Sequence, residues 1–574
     1  MFKHFSLSIL AGLLLFISWP PITSFTFLIF FALVPLFLIE KDVFENQIRH
    51  RTYFFYTYLT FFIFNLLTTF WINYAHLGGA VFAIFCNTFF MTLVFYLSLK
   101  IKSVFKKQKS ILILPILWIG FEYLHLNWDL SWPWLTLGNV FASQPDWVQW
   151  YSYTGVLGGT LWILLSNLIV VRLDILKTIS TISLKDKFRL KGPLMCFMLL
   201  TCLWFIPFGI SKNLHTNYLE YFNNTQKEQI NILIAQPNID PYSEKFSVSQ
   251  TAQTDELLNL VTPYLNDSIN FLILPETFLH TPIWIEKIFN NLSIKQLYQV
   301  VSQYPSDIQF DKKHYYPLNI LVGATTLSLS NKSPSSKPLH NHKNNFYKVF
   351  NTTLHLKNHL LFEDSVTRFS DGVTLDKYHK SKLVPGAEQM PFQDVLYPLL
   401  GDKILQIGTS TSLGNFSRQD TITIFNSFKF EEKIGRCDFS VAPIICYESI
   451  YGDYVRRFVH KGAEVIFIIT NDGWWKDTSG YKQHNMYAKL RAIETRRYIA
   501  RSANTGISCV INPFGKIEKK IDWDVRDVIK TEITLNNDRT FYTQYGDVIG
   551  RIASFLSLLL LLYTVIYNKL HFSS

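Results

Sequence analysis

Three side chains in this sequence could perform acyl chemistry together if the fold brought them to one place: a carboxylate at Glu276, an amine at Lys380 and a thiol at Cys446. Each sits where an apolar run meets a turn. Glu276 ends "NFLILPE", Cys446 ends "VAPIIC", and Lys380 precedes "SKLVPGAE". In sheets with buried strands, chemistry collects at such strand exits, where side chains face a crevice. A free thiol has a pKa near ~8.5 and is mostly protonated at neutral pH. A carboxylate can take its proton as general base. An ammonium can favour the thiolate and then stabilise the oxyanion formed when it attacks an acyl carbonyl. Taken singly, each residue also has a plainer reading. Glu276 could cap a helix, Lys380 could belong to a solvated basic face in "DKYHKSK", and Cys446 could be a buried small hydrophobe. His379 and His484 could approach Cys446 in space, so spacing alone leaves a Cys–His pair open.

Composition says what must position these groups. The chain has 574 residues, enough for more than one folded unit; 49% are hydrophobic, 16% aromatic and only 17% charged. Mean hydropathy is positive, at +0.14. Forty-nine Phe and 14 Trp point to lipid contact. Apolar runs able to cross a bilayer are expected at about 5–20, 23–40, 52–74, 79–99, 110–125, 151–171, 193–211 and 547–567. Lys and Arg crowd the loops after the second, fourth and sixth of these and are missing from 21–22, 75–78 and 126–150. The positive-inside tendency then puts both termini in the cytoplasm and about 212–546 outside. The Trp-dense segment 126–150 reads as an interfacial anchor belt or as an outer-face loop lining a lipid portal. The net charge of +11 lies largely in short loops between spans, which argues against nucleic acid. Six Cys show neither CxxC nor zinc spacing, so neither a disulfide framework nor a structural metal is expected.

The region 225–535 changes period. Short apolar runs such as "INILIAQ", "LNILVGATT", "TTLHL" and "AEVIFIITND" read as buried strands, and the stretch from Gln483 to Ala503 reads as one helix with Met486, Leu490, Ile493 and Ala500 on its apolar face. This mixture predicts an α/β domain with covered sheets. The stretch 328–347 reads as a surface loop.

The order Glu–Lys–Cys in the contexts "LPET", "YHKSKLVPGAE" and "IICYES", followed by "TNDGWW" and "PFGKI", resembles the nitrilase (carbon–nitrogen hydrolase) superfamily. With the flanking spans, "WPWLTLGN" and "AQPNID", nearly the whole chain is similar to the apolipoprotein N-acyltransferase family. The resemblance implies a multi-pass helical membrane bundle of about eight spans over 1–215 and 545–574. Between them it implies an extracytoplasmic α-β-β-α sandwich over 220–540. It implies Glu276 as general base, Lys380 as oxyanion stabiliser and Cys446 as acylated nucleophile. Glu388, Tyr447 and Glu448 become supporting residues of the pocket. Lys382 is a competing lysine, but the alignment through "LVP" selects Lys380.

The activity so implied is transfer of an acyl chain from a phospholipid, through a Cys446 thioester, to the α-amino group of a diacylglyceryl-modified apolipoprotein. The enzyme is expected to need no cofactor or metal and to act as a monomer in the bacterial inner membrane, with its catalytic part on the periplasmic side. A mobile lid is expected near Trp474 and Trp475. The rivals are a membrane-anchored amidase that uses water as acceptor and a lipid-binding or transport protein.

Overall fold

The computed structural model describes residues 2–104, 112–172, 191–304, 314–315, 317–330, 340–342, 345–357, 374–392, 395, 416–431 and 435–572. It divides into two compact units. One comprises Met1–Asn73, Leu77–Tyr221 and Tyr545–Ser574, and the other Tyr74–His76 and Phe222–Gln544.

The first unit is helical: α1 (Phe2–Ser18), α2 (Val34–Phe44), α3 (His50–Thr69), α4 (Leu77–Val104), α5 (Ile113–His125), α6 (Val156–Arg172), α7 (Lys191–Asn224) and, at the end of the chain, a last helix, Val548–Phe572. Among the described residues, three helices are long and apolar enough to cross a membrane: Leu77–Val104, Phe197–Asn224 and Val548–Leu570. α1, α5 and α6 are apolar but shorter. The expected crossing at 23–40 is broken into a 3-10 turn, Thr26–Phe30, and α2, which carries a proline in its first turn. Asn167 of α6 bridges the break. Its Nδ2 donates to the Ile29 carbonyl and its Oδ1 accepts the Leu33 N–H, both at 2.9 Å. Backbone groups released by a broken apolar segment need such partners when no water is near. The segment 126–150 is irregular too. It forms three 3-10 turns, and Leu137–Ser143 is wholly buried in the helical unit. Glu122 of α5 takes the Leu137 N–H at 2.8 Å and the Thr160 hydroxyl at 2.7 Å.

The second unit is built on two sheets. The strands are β1 (Gln229–Gln236), β2 (Phe271–Ile273), β3 (Leu279–Trp284), β4 (His314–Tyr315), β5 (Asn319–Ser330), β6 (His340–His342), β7 (Asn345–Lys357), β8 (Thr374–His379), β9 (Phe425–Glu431), β10 (Gly435–Ile445), β11 (Val465–Thr470), β12 (Ile499–Ala503), β13 (Ser508–Ile511), β14 (Ile517–Ile521) and β15 (Asp527–Thr534). One sheet runs β15-β1-β2-β5-β7-β6, with β3 on β5 and β8 on β7; the other runs β14-β13-β12-β11-β10-β9-β4. They pack face to face. Phe271 of β2 lies 5.1 Å from Phe467 of β11, and His355 of β7 lies 5.1 Å from Phe425 of β9.

Helices α8 (Gln250–Val261) and α9 (Leu292–Gln303) cover the first sheet, where Leu257, Val261, Ile294 and Leu297 meet Leu233, Leu272, Ile320 and Leu354. Helices α10 (Gly452–His460) and α11 (Ser479–Thr495) pack together and against the second sheet. Strands covered on both sides read as unbroken apolar runs, and β11 is buried at all six positions. The helix expected from Gln483 to Ala503 ends earlier. Arg496 turns left-handed (φ +53°), and the β-branched, aromatic "YIARSA" then pairs in parallel with β11, which puts Ala500 in a strand. Of the expected surface loop 328–347, residues 328–330 belong to β5, 340–342 form β6 and 345–347 belong to β7. The remainder lies outside the described residues.

Close approach dictates the glycine at position 323. β5 passes directly beneath the turn that follows β2. A Cβ at position 323 would come within 2.5–2.6 Å of Thr277 N, Glu276 Cα and the Pro275 carbonyl oxygen. These are backbone atoms and cannot swing aside. Gly323→Ala is expected to lower stability by about 1–3 kcal/mol through overpacking. Thermal unfolding in detergent reads this loss, and an unchanged midpoint would mean the turn yields freely.

Candidate active site

The first carboxylate arises where β2 ends. The chain leaves the sheet through Leu274 and Pro275, presents Glu276, and turns at Thr277 in the left-handed region (φ +46°). Glu276 is 6% exposed. Its Oε1 accepts the Lys380 ammonium at 3.0 Å and the Asn351 amide at 2.8 Å. Its Oε2 accepts the backbone N–H of Asn471, just past β11, at 3.1 Å. The carboxylate is therefore aimed from three strand systems at once.

Lys380 follows β8 and is 1% exposed. Its ammonium is shared between Glu276 and Glu388, with 2.9 Å to Glu388 Oε1. Glu388 is anchored in turn by the Val384 N–H (2.8 Å) on Oε2 and by Asn351 Nδ2 (3.1 Å) on Oε1. Asn351 also accepts the Lys380 N–H on its own carbonyl at 2.8 Å. Burial opposes the lysine charge, but Glu276 and then Glu388 outweigh it and hold the ammonium well above the ordinary lysine range. One cation between two anions keeps the cluster charged without water.

Cys446 directly follows β10 with a left-handed backbone (φ +48°), unusual for a residue with a side chain, and opens the 3-10 turn Cys446–Ile450. Its carbonyl accepts the Ser449 hydroxyl at 2.7 Å and His484 Nε2 at 3.2 Å. Burial first, then the Glu276 charge, pushes the thiol well above its usual value, and Lys380 opposes them. The resting sulfur is thus a neutral thiol, within the fields of a carboxylate and an ammonium.

Glu448 fastens these pieces together. It is fully buried. Its Oε2 accepts the N–H of Ile445, directly before the cysteine, at 2.9 Å. Its Oε1 accepts the N–H groups of Ser381 (2.7 Å) and Lys382 (3.2 Å), directly after the lysine, and the Tyr378 hydroxyl (2.6 Å). Burial raises this carboxyl to about 7 against those hydrogen bonds. Tyr447 is buried beside it, edge-on to Tyr451 at 5.3 Å.

The other candidates fall into place around this cluster. Lys382 lies over the rings of Tyr451 (5.0 Å) and Tyr454 (5.9 Å). His379 stacks on Phe350 and meets Thr352 at 2.8 Å. His484 Nε2 reaches the cysteine's carbonyl. Trp474 and Trp475 are half-buried on the turn Asp472–Trp475, and Trp475 packs edge-on to His484 at 5.5 Å.

Sequence reasoning passed over Asn351, Asn471, Asp472 and Arg501. Asp472 binds His484 Nδ1 at 2.9 Å and Arg501 at 2.6 Å, all three fully buried. The rule that found Glu276 and Cys446, a polar residue at the end of an apolar strand, applies equally to Asn471 and Asp472 after "VIFIIT". Asn351 lies inside a strand and carries no such signal.

Residues 11–169 match the family model described as the apolipoprotein N-acyltransferase N-terminal domain. Residues 234–541 match the carbon–nitrogen hydrolase model. The apolipoprotein N-acyltransferase of Chlorobaculum tepidum is 26% identical over 558 residues, covering 96% of this chain and 94% of that protein. Apolipoprotein N-acyltransferase 1 of Treponema denticola is 24% identical over 577 residues (98% and 96%). The Thermotoga maritima apolipoprotein N-acyltransferase is 24% identical over 551 residues (94% and 90%).

Two stability measurements check the buried charges. Glu448→Ala strips an acceptor from three N–H groups and a hydroxyl, and is expected to cost at least about 3 kcal/mol; a thermal midpoint equal to that of the parent chain contradicts this. For Asp472, burial raises the carboxyl, but Arg501 and His484 prevail and lower it to about 2 from 3.8. The folded state therefore binds fewer protons than the unfolded one in that window. The group's contribution is full above pH 4 and fades as pH falls toward 2, by about 2 kcal/mol. Asp472→Asn should flatten that part of the stability–pH curve.

Proposed function

The chain belongs to the carbon–nitrogen hydrolase family, among the apolipoprotein N-acyltransferases, and from this we propose a two-step acyl transfer at Cys446. In the first step Glu276 takes the Cys446 proton, and the thiolate attacks an ester carbonyl of a phospholipid. The tetrahedral oxyanion is stabilised by the Lys380 ammonium. Collapse breaks the ester C–O bond, and the lysophospholipid oxygen leaves with the proton held on Glu276. In the second step the α-amino group of an N-terminal diacylglyceryl-cysteine attacks the thioester. Glu276 accepts the amine proton, the C–S bond breaks, and the proton returns to sulfur. An N-acylated lipoprotein and the resting thiol are released.

The observation that carries this reading is the Lys380 ammonium held at 3.0 and 2.9 Å by Glu276 and Glu388, inside the fields that act on Cys446. A preorganised charge in a water-poor site needs no reorganisation as an oxyanion forms. The raised thiol suits a two-lipid enzyme, because the nucleophile is generated only when Glu276 accepts its proton. Glu388, Tyr447 and Glu448 are assigned to positioning. The apolar helices fit the substrates, since drawing an acyl chain into water costs ~0.8 kcal/mol per methylene. The Lys and Arg loops favour cytoplasmic termini and a periplasmic catalytic unit in a bacterial inner membrane.

The test is a transfer assay with acyl-labelled phospholipid and a synthetic diacylglyceryl-cysteine peptide whose amine is free or acetylated. Label should reach the free-amine peptide and not the acetylated one. Lys380→Met should slow transfer by roughly 100- to 1000-fold, the usual effect of removing one oxyanion donor. Release of labelled free acid at equal rates with either peptide would instead identify a hydrolase.

A further inference from the structure

Glu276 has a neighbour with no part in the two steps above. Lys245 lies in the turn after β1, where Gln253 Nε2 of α8 donates to its carbonyl at 3.0 Å. The residue is 5% exposed, and its Nζ donates to the Thr277 hydroxyl at 2.7 Å. Thr277 is the left-handed residue that completes the Glu276 turn. The same ammonium stands 6.0 Å over the ring of Trp474, on the turn that begins just after Asn471, whose N–H binds Glu276 Oε2. A lysine buried this deeply lies against both segments that aim the carboxylate.

Resting on the reading of Glu276 as the base, we propose that Lys245 is a positioning residue for it, whose ammonium pins the Thr277 turn and sets a second positive charge beside the neighbouring carboxylate. A strained left-handed turn persists only where its surroundings over-determine it, and a hydrogen bond from a charged donor is stronger than a neutral one. The charged and titratable groups whose fields meet this ammonium are Glu276 on the turn after β2 and His280 on β3. Burial is the larger influence and lowers the lysine to about 8, with Glu276 opposing. Burial and the Lys245 charge together lower His280 to about 4. His280 is therefore neutral at working pH, and Lys245 is the cation on this side of Glu276. Lys380 lies on the other side, flanked by Glu388.

The full-length protein in detergent micelles, given phosphatidylethanolamine labelled in its acyl chains, provides the test. The readout is the pH profile of acyl-enzyme formation. Lys245→Met should slow acylation by roughly 10- to 100-fold. It should also move the acid limb to higher pH by about 1 unit, because losing a nearby cation makes protonating the carboxylate easier. Lys245→Arg should leave the limb in place. Thr277→Val removes the hydrogen bond but keeps the charge, so it should slow acylation without moving the limb. A folded Lys245→Met protein whose limb does not move overturns the proposal. If that variant does not fold, a displaced limb in Lys245→Arg or an undiminished rate in Thr277→Val overturns it. Glu276→Gln separates the two readings: acylation that survives it defeats the role of Glu276 as base, whereas acylation lost there with an unmoved limb in Lys245→Met defeats only the role of Lys245.

Discussion

The site depends on one buried cation held between two carboxylates, Glu276 buried and Glu388 partly buried. Removing Lys380 from water is costly, and so is removing Glu276 or Glu388; the three coexist because each supplies what the others lack. Their geometry is fixed from outside the cluster as well. Asn351 touches both carboxylates and the lysine backbone, Asn471 fixes the far oxygen of Glu276, and Val384 fixes that of Glu388. An ion cluster in which each carboxylate accepts three hydrogen bonds is held in one arrangement. That arrangement sets a positive and a negative charge whose fields both reach Cys446.

The sulfur is placed by a second set of constraints that share no side chain with the first. The left-handed backbone at Cys446 is unfavourable by itself. It is held by Ser449 and His484 on its carbonyl and by Glu448 on the preceding N–H. Glu448 also grips the two residues after Lys380, so one carboxyl group joins the strand that leads into Cys446 to the strand that leads into Lys380. Asp472, His484 and Arg501 extend this brace into the second sheet. Local backbone strain at Cys446 is thereby offset by buried hydrogen bonds from several directions.

Much of this was legible in the residues. Apolar runs ending in a polar side chain located Glu276 and Cys446, because a buried strand has few places to put a charge other than its exit. The choice of Lys380 over Lys382 rested on an alignment, and the ion pairs supply the physical reason: Lys380 is enclosed by carboxylates, whereas Lys382 lies on tyrosine rings. Periodicity misread the end of α11, since "RRYIARSA" continues an apolar face while its β-branched and aromatic residues favour pairing beside β11. It also treated 23–40 as one helix, because hydropathy cannot see a break that Asn167 repairs from 134 residues away. Asn351 and Lys245 left no local trace. Their roles exist only once distant strands and turns are brought together.

The two units divide the physical problem. The helical unit supplies apolar length, with irregular backbone kept inside the protein where Glu122 and Asn167 can satisfy it. The sandwich supplies a rigid frame whose strand exits hold the charges. The most direct measurement is mass spectrometry of the protein after incubation with phospholipid, read on the peptide that carries Cys446. A gain of one fatty acyl mass on that peptide, removed by hydroxylamine and missing when Lys380 is replaced by methionine, is the expected result. An unmodified Cys446 in protein that still transfers acyl groups, or an adduct that forms equally well without the lysine, would contradict it.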